Sequence, residues 1–229
     1  VSPAADTSPL PDNNPWTFNA YYENDLFAGS DQNYTNGIRF SWISPDVSSY
    51  EDDPSVPQWF RTANHKLRYF HSLKDNEKMA RNFVFSVGQL MYTPENRDAT
   101  ELLKDERPYA GFLYAGMAHN TRSHAQLDTV ALRVGVVGPA SYAHETQDFV
   151  HEVRGFEKFK GWDNQLDNEL GLQMVYEQKH RMFYRTLTSA LEHDMISHAG
   201  FSLGNVATYA NFGGEYRLGW ELPDDFGTS

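Results

Sequence analysis

The sequence predicts an all-β protein built from amphipathic antiparallel strands. Three observations carry that prediction. Apolar and polar residues alternate with a period of two, the strand period, over segment after segment. Aromatic residues make up 14% of the 229 residues although mean hydropathy is only −0.63. Glycine recurs inside the alternating segments beside Arg and Glu, on the face opposite the apolar side chains.

In the first strand Trp16, Phe18, Ala20 and Tyr22 alternate with Thr17, Asn19, Tyr21 and Glu23. In the second, Ile38, Phe40 and Trp42 alternate with Arg39 and Ser41. Less regular apolar stretches at 83–92 and 109–118 supply two more strands. Val130, Leu132, Val134 and Val136 mark a fifth; Leu170, Leu172, Met174 and Tyr176 a sixth. Residues 190–203 form a seventh, and Tyr216, Leu218, Trp220 and Leu222 define the last, for about eight strands in all. Residues 28–33 are a short polar loop, and 45–82 a long polar insertion between strands two and three with some helix. Residues 138–168 open on Gly138-Pro139; within them 143–155 read as a short loop helix, with Phe149, Val150, Val153 and Phe156 as apolar contacts and Gly155 as its stop. Residues 1–15 read as a flexible N-terminus. The chain ends at 222–229 on turn chemistry, so the barrel or sandwich domain, 16–229, is expected to be incomplete at its C-terminus.

Composition narrows the function. Lys and Arg number 19 against 31 Asp and Glu, a net charge of −12, which argues against nucleic acid as a partner. There is no Cys, hence no disulfide framework, thiolate zinc site or Cys nucleophile. No apolar run is long enough for a helical membrane span. Two architectures fit the alternation. A soluble, carbohydrate-binding β-sandwich would bury the apolar face as core. A membrane barrel would turn it to lipid and line its interior with the polar face. Arg133, Arg217, Glu169, Glu177, Glu215 and Glu221 interleaved with Gly suit a filled lumen. Trp16, Trp42, Tyr92, Tyr176 and Trp220, near strand ends, suit an interfacial girdle. The pattern favours the barrel and leaves the sandwich open.

Three groups of residues could carry chemistry. Glu23-Asn24-Asp25 ends strand one with hard oxygen donors suited to a cation such as calcium, though Asn and Asp are common where a strand turns into a loop. Asn33-Tyr34-Thr35-Asn36-Gly37 opens strand two, and a hairpin there brings Asn24 and Asp25 close to Thr35. Gln147 and His151 lie four apart on one helix face, with Glu157 six residues on. A histidine can take a proton from water, and a carboxylate can hold its tautomer, although most of the nine histidines must be ordinary packing or surface residues. His144 and His151 are seven apart, a poor metal signature, and no GxSxG elbow, P-loop or GxGxxG is present.

Taken in order, ENDLF at 23–27, NYTNG at 33–37, QLMYTP at 89–94, DERPYAG at 105–111, VVGP at 136–139, Gln147…His151…Glu157-Lys158 and GWDNQ at 161–165 form a series. That series resembles the lipid A 3′-O-deacylases of Gram-negative outer membranes, over residues 16 to 226. The resemblance implies a twelve-stranded outer-membrane barrel, with about eight strands in this chain and an active site between barrel wall and loop helix at the outer-leaflet rim. It implies a monomeric, membrane-embedded esterase that removes the 3′-acyloxyacyl chain of lipid A in lipopolysaccharide, exported with a signal peptide not present here. His151 would act as general base, with Glu157 holding the imidazole. Asp25 with Asn24 would bind Ca2+, and Thr35 and Gln147 would position water or substrate. The family's adjacent Lys-Arg pair in the second outer loop is replaced here by separated Arg97, Lys104 and Arg107, and a family Tyr by Phe159. The 45–82 insertion would lie on the periplasmic side. The runner-up is a catalytically inactive structural or pore-type barrel of the same fold.

Overall fold

The alternating segments pair into one continuous sheet in the computed structural model, which describes residues 15–24, 36–47, 58, 61–62, 79–188, 191–223 and 225–227. Its strands are β1 (Thr17–Asn24), β2 (Asn36–Ile43), β3 (Ala80–Tyr92), β4 (Ala110–Arg122), β5 (Gln126–Val137), β6 (Glu169–Thr186), β7 (Leu191–Gly204) and β8 (Tyr209–Trp220). Each pairs antiparallel with the next, in the order of the chain. No pairing joins β1 to β8 among the described residues, so the sheet is a half-barrel. The alternation located every strand but stopped short on β6. There Gln178 and His180 interrupt the apolar face, and a register shift between Arg181 and Phe183 exchanges the parity of residues 183–186.

Burial decides between the two architectures. Leu132, Val134, Leu170, Leu172, Tyr216, Leu218 and Trp220 are exposed, whereas Gln173, Lys179, Asp194 and Ser202 are buried. Polar in and apolar out is the arrangement of a barrel in lipid, and no second sheet covers the apolar face among the described residues. The sandwich is therefore excluded. Apart from β1 and β2, the strands run 12 to 18 residues, enough to cross a bilayer core.

Inside, polar groups satisfy one another from strand to strand. Arg133 donates to Gln173 (3.2 Å) and lies over the Tyr114 ring; Gln173 donates to Ser202 (2.9 Å), which donates to the Ala207 carbonyl (3.0 Å). Lower down, the fully buried Asp194 accepts from Arg217 through both oxygens and faces Arg181 at 3.4 Å. The turn after β8 folds over this cluster: Arg181 and Arg217 both donate to Asp225, and Phe226 is buried under the Arg181 guanidinium at 5.1 Å.

One end of the sheet carries the short turn 123–125 and the passage from β6 to β7, and the other carries the long connections 93–109 and 138–168. The insertion between β2 and β3 leaves from the short-turn end. Its first residues are pinned by the Val47–Arg81 bridge and by Asp46, which accepts from Arg122 (2.6 Å) and Asn82 (3.3 Å). Gln58, Arg61 and Thr62 are helical, with the Thr62 hydroxyl donating to the Gln58 carbonyl (3.0 Å); most of the insertion lies outside the described residues. At the long-loop end stands the one helix needed for the site, α1 (Ala143–Arg154). It stops where predicted, at Gly155 with φ 69°, a left-handed cap suited to glycine.

Candidate active site

The connection 138–168 turns back onto the outward face of the wall instead of standing free at the rim. Gly138, at φ 95°, makes the turn, and its amide donates to the Gly111 carbonyl on β4 (3.0 Å). A short 3-10 turn, Pro139–Ser141, and Tyr142 in the left-handed region then lead into α1. Two wall residues make room for it. Gly111 has no side chain, and a Cβ there would lie 2.0 Å from the Ser141 Oγ and 2.3 Å from the Ala143 Cβ. Gln89 is a polar residue in the outward series Phe83, Phe85, Val87, Met91 of β3, and its amide donates to the Ser141 carbonyl (2.7 Å) in a buried contact. Met91, Tyr109, Ala143 and Trp162 close the seam as a buried cluster, with Phe159 packed against it.

This packing yields a direct expectation. Ser141 and Ala143 are both buried, and the Ala143 Cβ, fixed to its backbone, cannot turn aside for a new Cβ at position 111. Gly111→Val should therefore lift α1 off the wall, at a cost of about 1–3 kcal/mol or more for overpacking. Faster tryptic cleavage after Arg154 and Lys158 in the refolded protein is the readout. Unchanged cleavage would show that the seam relaxes elsewhere.

His151 sits in the last turn of α1, half-buried, with its ring edged by Phe156 (5.8 Å) and Phe159 (5.6 Å). After Gly155 the chain reverses, the Phe156 amide donates to the His151 carbonyl (2.8 Å), and the His151 Nδ1 comes within 2.7 Å of the Glu157 carbonyl oxygen. A carbonyl oxygen can only accept, so Nδ1 carries the proton. In the neutral ring Nε2 then holds the free lone pair, the form that can take a proton. The carboxylate expected to hold the ring is elsewhere: Glu157 pairs with Arg97 at 3.0 Å. Residue 157 does meet the imidazole, but through its main chain, because the sharp reversal at Gly155 aims the carbonyl and not the side chain at the ring.

Gln147 is also placed differently from expectation. It is buried, and its amide oxygen accepts from the Trp162 indole (2.7 Å), so it braces the helix against the following loop. Trp162 in turn lies between Tyr109 (5.0 Å) and a stacked His144 (5.5 Å). Phe159 packs edge-on to Tyr109 at 6.2 Å, so an apolar ring serves this position well. The Asn24 backbone pairs with Asn36, which pairs with Met91 beneath α1, so the end of β1 lies in the row of residues that leads to the helix. The Asn24 side chain, Asp25 and Thr35 lie outside the described residues. No group of three or more His, Asp or Glu converges as a metal site among the described residues, which therefore do not by themselves compose a calcium centre.

The connection 93–109 braces the site from the side. Lys160 donates to Asp98 (2.7 Å), the Lys160 amide donates to the Arg97 carbonyl (3.0 Å), and Asn164 donates to the Thr100 carbonyl (3.0 Å). The hydrogen bond between them holds the Asp98 carboxyl below, and the Lys160 amine above, their ordinary ranges. The pair is thus charged on both sides at neutral pH. Its contribution is lost as pH falls through the depressed Asp98 value or rises through the raised Lys160 value. Arg107 is turned inward over the Tyr92 ring at 5.0 Å. Trp162, Gln89, Met91 and Gly111 were not singled out as site residues from the sequence. Gln89 alone left a local signal, a polar residue in the apolar series Phe83, Phe85, Val87, Met91.

A polar-filled, apolar-faced antiparallel sheet with a histidine-bearing helix seated on its outer wall defines an outer-membrane β-barrel protein whose candidate site opens beside lipid. The chain belongs to the family of the outer membrane protein LpxR, whose model matches residues 1–229. Among solved structures it is similar in fold to LpxR from Salmonella typhimurium, with a TM-score of 0.62 and 19% sequence identity over 89% of this chain. The chain spans 62% of the length of that relative. No curated protein matches the sequence.

Proposed function

We propose that the protein hydrolyses the ester bond of the 3′-acyloxyacyl chain of lipid A, as a monomer in the Gram-negative outer membrane, with His151 as general base. The observation that carries this reading is the contact from His151 Nδ1 to the Glu157 carbonyl, on a helix seated against the lipid-facing wall. Family membership supports the substrate class. In the reaction Nε2 takes a proton from water as the water oxygen attacks the ester carbonyl carbon. The tetrahedral adduct then expels the sugar oxygen, which takes the proton back from the imidazolium, leaving a free acyloxyacyl acid and a hydroxyl on the sugar. Gln147 and Trp162 keep the helix, and so the imidazole, in register. Thr35 is assigned to position water or substrate. Ca2+ belongs to the proposal as a requirement, with Asp25 and Asn24 as its ligands; when bound it would polarise the ester carbonyl.

The test is to incubate membranes carrying the full-length protein with lipid A and calcium, with a chelator control, and to weigh the products by mass spectrometry. Loss of the 3′ chain, abolished by chelator, supports both parts of the proposal. Loss that persists in chelator removes calcium from it, and no loss from any glycolipid favours an inactive barrel.

The carbonyl contact also predicts a difference between neighbours. Glu157→Gln keeps the main-chain acceptor and removes only a solvent-exposed pair with Arg97, worth about 0–1 kcal/mol. Its hydrolysis rate should stay within about tenfold of wild type, far above that of a His151 variant. A loss equal to the His151 loss would show that the carboxylate itself takes part.

A further inference from the structure

Helix α1 leaves a second face unaccounted for. Ala143 and Gln147 are 1% and 3% exposed against the wall, whereas Tyr142, Phe149, Val153 and Phe156 are 62%, 68%, 70% and 43% exposed. Phe149 and Val153, four apart within the helix, share a face turned away from the residues that seat it, and the exposed rings of Tyr142 and Phe156 flank that stripe just beyond the two helix ends. Such a stripe is costly to leave in water.

The place where the helix is docked indicates what covers the stripe. Ser141 and Ala143 rest on Gly111 and Met91, the outward side of β4 and β3 near their ends. That is the same side of the sheet as exposed Phe40, Val87, Leu132 and Val134, the face that meets lipid. A helix packed on the lipid side of the wall, with an apolar stripe facing away from the wall, continues that surface. The flanking charges are managed as at a membrane boundary. Lys158 pairs with Asp148 (3.1 Å) and Glu152 (3.6 Å), and the Arg154 guanidinium lies over the Phe156 ring at 5.2 Å.

We propose that α1 is an interfacial membrane helix, whose Phe149 and Val153, flanked by exposed Tyr142 and Phe156, insert among the acyl chains of the leaflet at the barrel rim. The helix then fixes the depth of the site as well as its shape, because His151 lies at the level of Phe149 and Val153 along the helix and projects from the opposite face, with Ala143 and Gln147. The inference rests on the outer-membrane barrel and not on the esterase reading.

The chain has no cysteine, so single labels are unambiguous. Phe149→Cys, Val153→Cys and Glu152→Cys, each in the full-length protein, are spin-labelled and placed in phosphatidylethanolamine–phosphatidylglycerol vesicles. Leu132→Cys on the wall gives the lipid reference and Ser123→Cys in a short turn the aqueous one. Heat-modifiable mobility on gels confirms that each variant is folded. Accessibility to oxygen relative to a water-soluble nickel complex should be several-fold higher at 149 and 153 than at 152, and close to that at 132. Equal, water-like ratios at 149, 152 and 153 would overturn the proposal. So would spin–spin broadening at 149 or 153 that disappears on dilution with unlabelled protein, since a second copy would then cover the stripe. Neither readout depends on hydrolysis, so failure here is distinguishable from failure of the esterase reading.

Discussion

His151→Ala in the full-length protein is expected to lower the rate of ester hydrolysis by about 10²–10⁴-fold, the usual worth of a positioned proton acceptor. The fold should be untouched. His151 is only half-buried, at the end of a helix held by the Gln147–Trp162 hydrogen bond and the Met91–Ala143–Trp162 packing, none of which involves the imidazole. Its ring contributes edge contacts to Phe156 and Phe159 and one hydrogen bond to a main-chain carbonyl. Product formation followed by mass spectrometry, beside gel mobility as a check on folding, separates lost chemistry from lost structure. His151→Asn is a useful companion, since an amide can still donate to the Glu157 carbonyl without offering a basic nitrogen. Equal rates for wild type and both variants would remove His151 from the mechanism.

The largest effect on stability is expected at Asp194, far from that chemistry. Its carboxylate is fully buried inside the barrel and shared by two guanidiniums, Arg217 through both oxygens and Arg181 at 3.4 Å. Asp194→Ala would take from two nearly buried cations the buried carboxylate they share, leaving Arg217 its half-exposed Asp225 partner. Breaking a buried ion pair from one side costs about 3–5 kcal/mol, because the remaining charge is neither hydrated nor neutralised. A lower urea midpoint for unfolding from detergent micelles is the measurement. Asp225→Ala should cost clearly less, since that carboxylate already meets solvent. If the two variants unfold together, the cluster is more hydrated than its burial implies.

Much of the site's setting was legible without coordinates. The helix over 143–155, its glycine stop and the pairing of Gln147 with His151 on one face all rest on local periodicity and capping chemistry. Those rules act within a few residues and survive any tertiary context. The strand before the 45–82 segment was legible for the same reason, from the alternation of Ile38, Phe40 and Trp42, whereas the one after it showed only as a less regular apolar stretch. The contacts of Glu157 and Gln147 were not legible. A main-chain carbonyl has no signature in the sequence, so the turn that delivers Glu157 to the imidazole could not be told from one that delivers its carboxylate. The role of Gln147 for water or substrate came from the resemblance alone, and its hydrogen bond to Trp162 has no local signature because that partner lies fifteen residues away across a reversal of the chain.

The sequence by itself determined the number and order of the strands, the helix and the residues able to do acid–base chemistry, since each depends on a local pattern of side chains. It could not determine which face of the sheet points outward, because a period of two is the same whether the apolar side meets a core or a lipid. Tertiary structure decided that through burial, with Asp194, Gln173 and Ser202 inside and Leu170 and Trp220 outside. It also decided that α1 lies on the lipid side of the wall, through the missing side chain of Gly111 and the outward amide of Gln89. Contacts between β3, β4 and a loop that comes after β5 are set by how the sheet curves, and that curvature belongs to the whole sheet rather than to any one segment.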